Sequence, residues 1–219
     1  MARTNNSVRL CVVCEGQTEG EFVSKCLAPT LAEAGVYAYP SLIKTGMGKS
    51  GGGDVTVERT GLHLANEYPN FDYLTTLVDL YGFSKRAGRS KLQLETDILC
   101  ETQKQRPEID TKRVIPYVQR YEFEGLLFSD PQEFEWVFDG WNPKAKEQLN
   151  DIANAFETPE DINNGPNTAP SKRLEAIFGS TFKKTTHGPI IAEEIGLDTI
   201  RQKCPEFSEW VQKLQALTQ

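Results

Sequence analysis

The sequence lacks any apolar run of about 18 residues, the length a membrane-spanning helix needs. Its start, MARTNNSVRL, has no apolar stretch of the kind a secretory signal carries. Together these absences predict a cytoplasmic protein with no membrane partner. There is no CxxC pair, and the five cysteines are an odd number. That argues against a disulfide framework and a cysteine-rich zinc site, and for buried thiols in a reducing compartment. Only two histidines are present, and no carboxylate stands at metal-ligand spacing from them, which argues against zinc. Positive charge is also short. A net charge of −7 speaks against a general DNA-coating protein. It leaves room for a nucleic-acid enzyme, because local charge decides such contacts. No helix-turn-helix, zinc finger or RNA-recognition aromatic pair is found, nor any internal repeat. TGMGKSGGG ends like a phosphate loop, but the first glycine of G-x-x-x-x-G-K-S falls on Ile43.

What is present is a chain of 219 residues, 38% hydrophobic and 25% charged, enough to bury a sizeable core. Val8–Cys14 reads as a strand. Thr18 and Glu21 fit a T-x-x-E capping box, which predicts a helix from near Glu19 that Pro29 kinks or shortens and Gly35 closes. VYAYPSLI reads as a second strand, on an edge because of Pro40. A glycine-rich loop precedes a helix over 55–67 capped by Asp54. YLTTLVD is a third strand, Ser90 caps another helix, and RVIPYVQ is a fourth strand. This alternation predicts an α/β fold, a mainly parallel sheet of about four strands flanked by helices. After Tyr121 helical signals dominate: DPQEFEWVF, PKAKEQLNDIANAF, TPEDI, PSKRLEAIFG and PEFSEWVQKLQAL. The expected division is an α/β core over 1–128 and a helical C-terminal section over 129–219. Trp136, Trp141 and Trp210 are expected to pack in the core, and His63 to be structural.

Ligands of parallel sheets bind beyond the carboxyl ends of the strands. In this topology those ends carry acids: Glu15 after the first strand, Asp79 at the end of the third, Glu122 and Glu124 after the fourth. Each acid taken singly has an ordinary alternative, as a solvated loop residue or a helix-terminal charge such as Glu19. Asp79 resists that alternative, because it ends an apolar β-branched run where an unpaired charge is costly. Carboxylates gathered at one edge suit a hard divalent cation, which takes oxygen ligands and can support phosphodiester hydrolysis. Two basic islands accompany them: Lys85, Arg86, Arg89 and Lys91 in SKRAGRSK, and Lys172, Arg173, Lys183 and Lys184 between Pro170 and His187. Either set is a solvated charge run or a grip on a nucleic-acid backbone. Lys49, in the glycine-rich loop, offers a further phosphate contact. His187, read as lying in a loop before Gly188-Pro189, is open to three roles: phosphate contact, acid catalyst or structural hydrogen bond.

CEGQTEGEF followed by LVDLYGF resembles the Toprim fold of primases, topoisomerases and the overcoming-lysogenization-defect nucleases. EGQTEGEFV, GGGDVTVER, TTLVDLYGF, PYVQRYEFEGLLFSDP, APSKRL and THGPIIAEEIGLDTIRQKCPEFSEW extend the likeness over nearly the whole chain, to an uncharacterised bacterial family of Toprim-like proteins related to those nucleases. The resemblance implies a magnesium- or manganese-dependent nuclease acting on DNA or RNA, in a phage-defence system with an ATPase partner. Carried over by residue, Glu15 becomes metal ligand or general base, Glu19 the second acid of E-G-x-x-E, and Asp79 the first aspartate of D-x-D. Tyr81 stands where the second aspartate belongs, and Glu122 or Glu124 is the candidate replacement. Lys172 and His187 join Glu15 as catalytic candidates. Lys49, Lys85, Arg86, Arg89, Lys172, Arg173 and Lys184 are candidate nucleic-acid contacts. Two other readings stand beside this one: a non-catalytic module that docks an ATPase, favoured by Tyr81, and phosphoryl transfer on a small nucleotide.

Overall fold

The computed structural model describes residues 7–43, 55–163, 165 and 167–219. Asp54 and Lys49, singled out above as cap and phosphate contact, lie outside the described residues. The chain divides into two units, one of residues 1–119 with 210–219, the other of residues 120–209.

The first unit holds a five-stranded, all-parallel sheet. Its strands are β1 (Val8–Cys14), β2 (Val36–Leu42), β3 (Tyr73–Asp79), β4 (Val114–Ile115) and β5 (Val118–Gln119). The order is β2-β1-β3-β4, with β5 also pairing to β3. Leu10 to Cys14 are wholly buried, as befits a strand covered on both faces. β2 pairs only with β1 among the described strands, so Pro40 sits on an edge where its missing N–H breaks no ladder.

The expected fourth strand is in fact two short ones. Pro116 cannot donate to the sheet, and the interruption is bridged by β3. The Thr76 hydroxyl accepts from Tyr117 N–H at 2.8 Å and donates to the Tyr117 carbonyl at 2.6 Å. Thr75 donates to the Ile115 carbonyl at 2.5 Å. Its hydroxyl also accepts from the Trp210 indole N–H at 2.9 Å, and that ring stacks on Tyr117 at 4.5 Å. Trp210 is therefore a core residue, as expected.

Helix α1 (Gln17–Phe22) starts earlier than the Thr18–Glu21 box predicts. Glu19 supplies the cap instead, its carboxylate accepting from Gly16 N–H at 3.1 Å, and Glu21 pairs with Lys25 at 3.8 Å. Pro29 does not end the helix. A π-turn, Val23–Leu27, widens the backbone ahead of it, with Ala28 N–H reaching back to Val23 O, and α2 (Ala28–Glu33) continues. Gly35 then closes it at φ 80°. Helix α3 (Val57–Glu67) is capped by Thr56, and α4 (Lys91–Gln105) by the expected Ser90. His63 is tied to Ser41 at 2.8 Å, a structural link from α3 to β2.

The second unit is helical. Its first segment, Phe123–Ser129, is a buried 3-10 helix, and DPQEFEWVF forms another 3-10 stretch, Pro131–Trp136, rather than an α-helix. The α-helices are α5 (Pro143–Asn154), α6 (Pro170–Phe178), α7 (Lys184–Ile195) and α8 (Leu197–Lys203). The last, α9 (Pro205–Gln215), begins in this unit. Its core is aromatic: Phe134 lies 5.6 Å from Phe128 and 5.9 Å from Phe178 between ring centres. Trp136 and Trp141 are half-buried here, less enclosed than the core role predicts. THGP is not a loop. His187, Gly188 and Pro189 lie inside α7, where Gly188 and Pro189 are buried near its first turns. Among the described residues no helix is long and apolar enough to cross a membrane.

Candidate functional site

In the first unit the parallel strands end at a buried acid, a half-buried acid and a glycine. Asp79 is the last residue of β3, only 4% exposed, and its neighbour in register is Gln119 at the end of β5. A 3-10 turn, Leu80–Gly82, follows directly. Glu15 follows β1, the strand paired with β3. A Cβ built on Gly82 would stand 2.1 Å from Glu15 Oε2. The Glu15 carboxylate therefore occupies the space that any side chain at position 82 would need. Adjacent parallel strands thus send Glu15 to the turn that Asp79 opens. Glu19 is 2% exposed, and its carboxylate serves the start of α1 through Gly16 N–H.

Glu122 and Glu124 belong to the second unit, where each has its own partner. Glu122 accepts from Ser171 N–H at 2.8 Å and from the Ser171 hydroxyl at 2.9 Å. Glu124 is wholly buried, with Lys184 Nζ 3.0 Å from Oε1. The contact is an ion pair between a buried carboxylate and a partly exposed ammonium. Burial pushes the Glu124 carboxyl above its ordinary value; Lys184 opposes the rise and Glu122 adds to it.

The basic islands differ in how far they are used locally. Arg89 is spent on its own loop: Nη1 donates to Asp97 at 2.9 Å, Nε to the Arg86 carbonyl at 3.0 Å, and Nη2 to the Lys85 carbonyl. Lys85 is exposed and Arg86 half-exposed, its guanidinium 5.4 Å from the Tyr81 ring centre. In the second unit Lys172 pairs with Glu175 at 2.8 Å on the surface. Arg173 donates to the Thr168 carbonyl at 2.8 Å and lies over Phe156. His187 Nδ1 accepts from Lys183 N–H at 2.9 Å, and burial followed by Lys183 lowers its pKa, which favours the neutral ring. That bond matches the structural role among its three alternatives.

Sequence reasoning passed over Gly82, Gln119 and the capping use of Glu19. The L-Y-G run after Asp79 carried the only signal for Gly82. Gln119 and the Glu19 contact depend on register, which no short motif encodes.

Among the described residues, no group of three or more His, Cys, Asp or Glu side chains is gathered as a metal-ligand set. Magnesium asks for less: one or two carboxylates, with waters and substrate phosphate completing its octahedron. Glu15 and Asp79 fit that smaller requirement, being oxygen donors at a strand edge beside a backbone stripped of its side chain at Gly82.

Fold and edge define an α/β protein whose parallel sheet ends in carboxylates, joined to a helical unit. The chain belongs to the family described as a domain of unknown function, DUF4276, which matches residues 14–215. Among solved structures it is similar to the C-terminal region of the Xanthomonas campestris pv. campestris OLD protein. That match has 14% identity, covers 93% of this chain and 96% of the other, and has a TM-score of 0.42. No curated protein matches the chain.

Proposed function

We propose that the protein is a Toprim-like, magnesium- or manganese-dependent phosphodiesterase acting on nucleic acid. The observation that carries the reading is the meeting of Glu15 with the Asp79–Gly82 turn, two acids delivered by neighbouring parallel strands. In this reading Glu15 and Asp79 hold the cation, which supplies charge neutralisation and an acidified water when bound. Glu15 also accepts a proton at its carboxylate. Glu19 holds the β1–α1 turn in place from Gly16 N–H. Lys85 and Arg86 attract and orient the phosphate backbone. An effector role in phage defence with an ATPase partner belongs to the same proposal and rests on the sequence resemblance alone.

Cleavage of mixed DNA and RNA with manganese tests it, comparing wild type with Glu15→Gln and Asp79→Asn. Metal-dependent cutting that falls by about a thousandfold or more in both variants is expected, since each removes charge where the transition state needs it. Cutting that survives both substitutions overturns the assignment. The alternative of a non-catalytic docking module is favoured by Tyr81 in the second acid's position. It predicts no cutting, with or without an added ATPase.

A further inference from the structure

The Lys85–Arg89 loop is built to hold one shape. Ala87 and Gly88 both take left-handed backbone, φ 51° and 79°, which folds the chain into a tight reversal. A left-handed alanine carries strain and persists only where its surroundings insist on it. Here Arg89 insists, bonding two carbonyls of the loop, those of Lys85 and Arg86, and anchoring to Asp97 on α4. The loop's other end is pinned where Ser84 N–H donates to the Val55 carbonyl at 3.2 Å. This scaffold places the Arg86 guanidinium 5.4 Å from the centre of the Tyr81 ring, within cation–π range.

Tyr81 keeps part of its ring open to solvent. It is 38% exposed, while Leu80 before it is buried and Gly82 after it touches the Glu15 carboxylate. A planar aromatic and a planar cation thus stand together, pre-ordered, one residue from the acidic edge. Every nucleobase offers a π-face to such a pair, but a base within a duplex has already spent its faces on its neighbours. Pre-ordering also lowers the entropy lost when a base docks.

We propose that Tyr81 and Arg86 form a stacking platform for one unpaired base, making single-stranded nucleic acid the substrate class of this site. The inference rests on the phosphodiesterase reading and names its substrate; its test is binding, so the two can fail separately. Fluorescence anisotropy in EDTA, on the full chain, compares a labelled 12-nucleotide single strand with the duplex of the same sequence. Wild type should bind the single strand at least about tenfold more tightly. Tyr81→Ala should lose about tenfold on the single strand, the contribution of one stacked base, and little on the duplex. Tyr81→Phe should keep wild-type affinity. A strand carrying 2-aminopurine should be quenched by wild type and Tyr81→Phe but not by Tyr81→Ala, a signature that a purely structural tyrosine would not produce. Equal affinity for strand and duplex, or unchanged single-strand binding and quenching in Tyr81→Ala, overturns the platform. Intact base stacking in a protein that never cuts overturns the phosphodiesterase reading alone.

Discussion

The two units set their acids in different surroundings. In the second unit the chain brings a partner to each acid. Ser171 meets Glu122, Lys184 meets Glu124, and Glu160 accepts the N–H groups of Glu206 and Phe207 at the start of α9, both at 2.9 Å. In the first unit the Glu15 carboxylate fills room that the missing side chain of Gly82 leaves beside the strand end. An acid given a partner stabilises the fold. In the proposed function the acid that fills this space at the strand end, Glu15, serves a bound cation. The two groups should therefore respond differently to substitution, the first in stability and the second in activity.

The largest contrast is expected at Gly82. Gly82→Ala drives a methyl into Glu15 Oε2, and the flexible carboxylate swings aside. Cutting should fall about a hundredfold, the cost of misplacing a catalytic group by roughly an ångström, while the melting temperature changes little. A Gly82→Ala protein that cuts at the wild-type rate would contradict a role for the Glu15 position in cutting.

Lys184→Met tests the other side. It leaves Glu124 buried without its cation and should cost about 2 to 3 kcal/mol, below the full range for a buried pair because Lys184 is partly in water. The pH dependence has a definite sign. Burial raises the folded carboxyl above its unfolded value, so the native state holds the proton more tightly than the unfolded chain. Removing Lys184 raises it further. The destabilisation should then be larger at pH 8, where Glu124 would have to ionise or hold a proton against solution, than near pH 5. Chemical denaturation at the two pH values measures this, and an equal loss at both would contradict the ion-pair reading.

Gly61 offers a packing control away from both sets of acids. A Cβ there would lie 2.9 Å from Glu101 Cβ and 3.0 Å from the Thr102 backbone nitrogen, so α3 and α4 would have to part. Gly61→Ala should destabilise by about 1 to 2 kcal/mol despite the better helix propensity of alanine. The smallest effect is expected at Glu160→Gln, about 1 kcal/mol. Its amide can accept only one of the two N–H bonds and loses the charge that favours a helix start. Both are read from denaturant midpoints.

Much of the first unit was legible in the sequence, since its strands are apolar runs broken by strong punctuation. Asp79 could be read because a charge at the end of TTLV needs a reason. The cap of α1 could not be placed, because EGQTEGE offers two overlapping frames, Gly16–Glu19 and Thr18–Glu21, of which the structure uses the first. Pro116 marked a break in RVIPYVQ, but the threonines some forty residues away that hold β4 and β5 to β3 across it are announced by no local pattern. In the second unit the 3-10 geometry of Pro131–Trp136 goes with Phe134 packing against Phe128 and Phe178, partners supplied by other segments. The helix through Gly188–Pro189 went unread for a similar reason, since buried packing outweighs the breaker signal. The roles of Glu122 and Glu124 required knowing that Ser171 and Lys184 would reach them.

The proposed chemistry requires that Glu15 and Asp79 together bind a divalent cation. Titration of the full chain with Mn2+, followed by the loss of the free-ion electron paramagnetic resonance signal, tests it without reference to any substrate. Binding should be saturable in wild type, lost in both Glu15→Gln and Asp79→Asn, and retained in Glu122→Gln. Binding that persists in the first two variants, or that disappears only with Glu122→Gln, would contradict it.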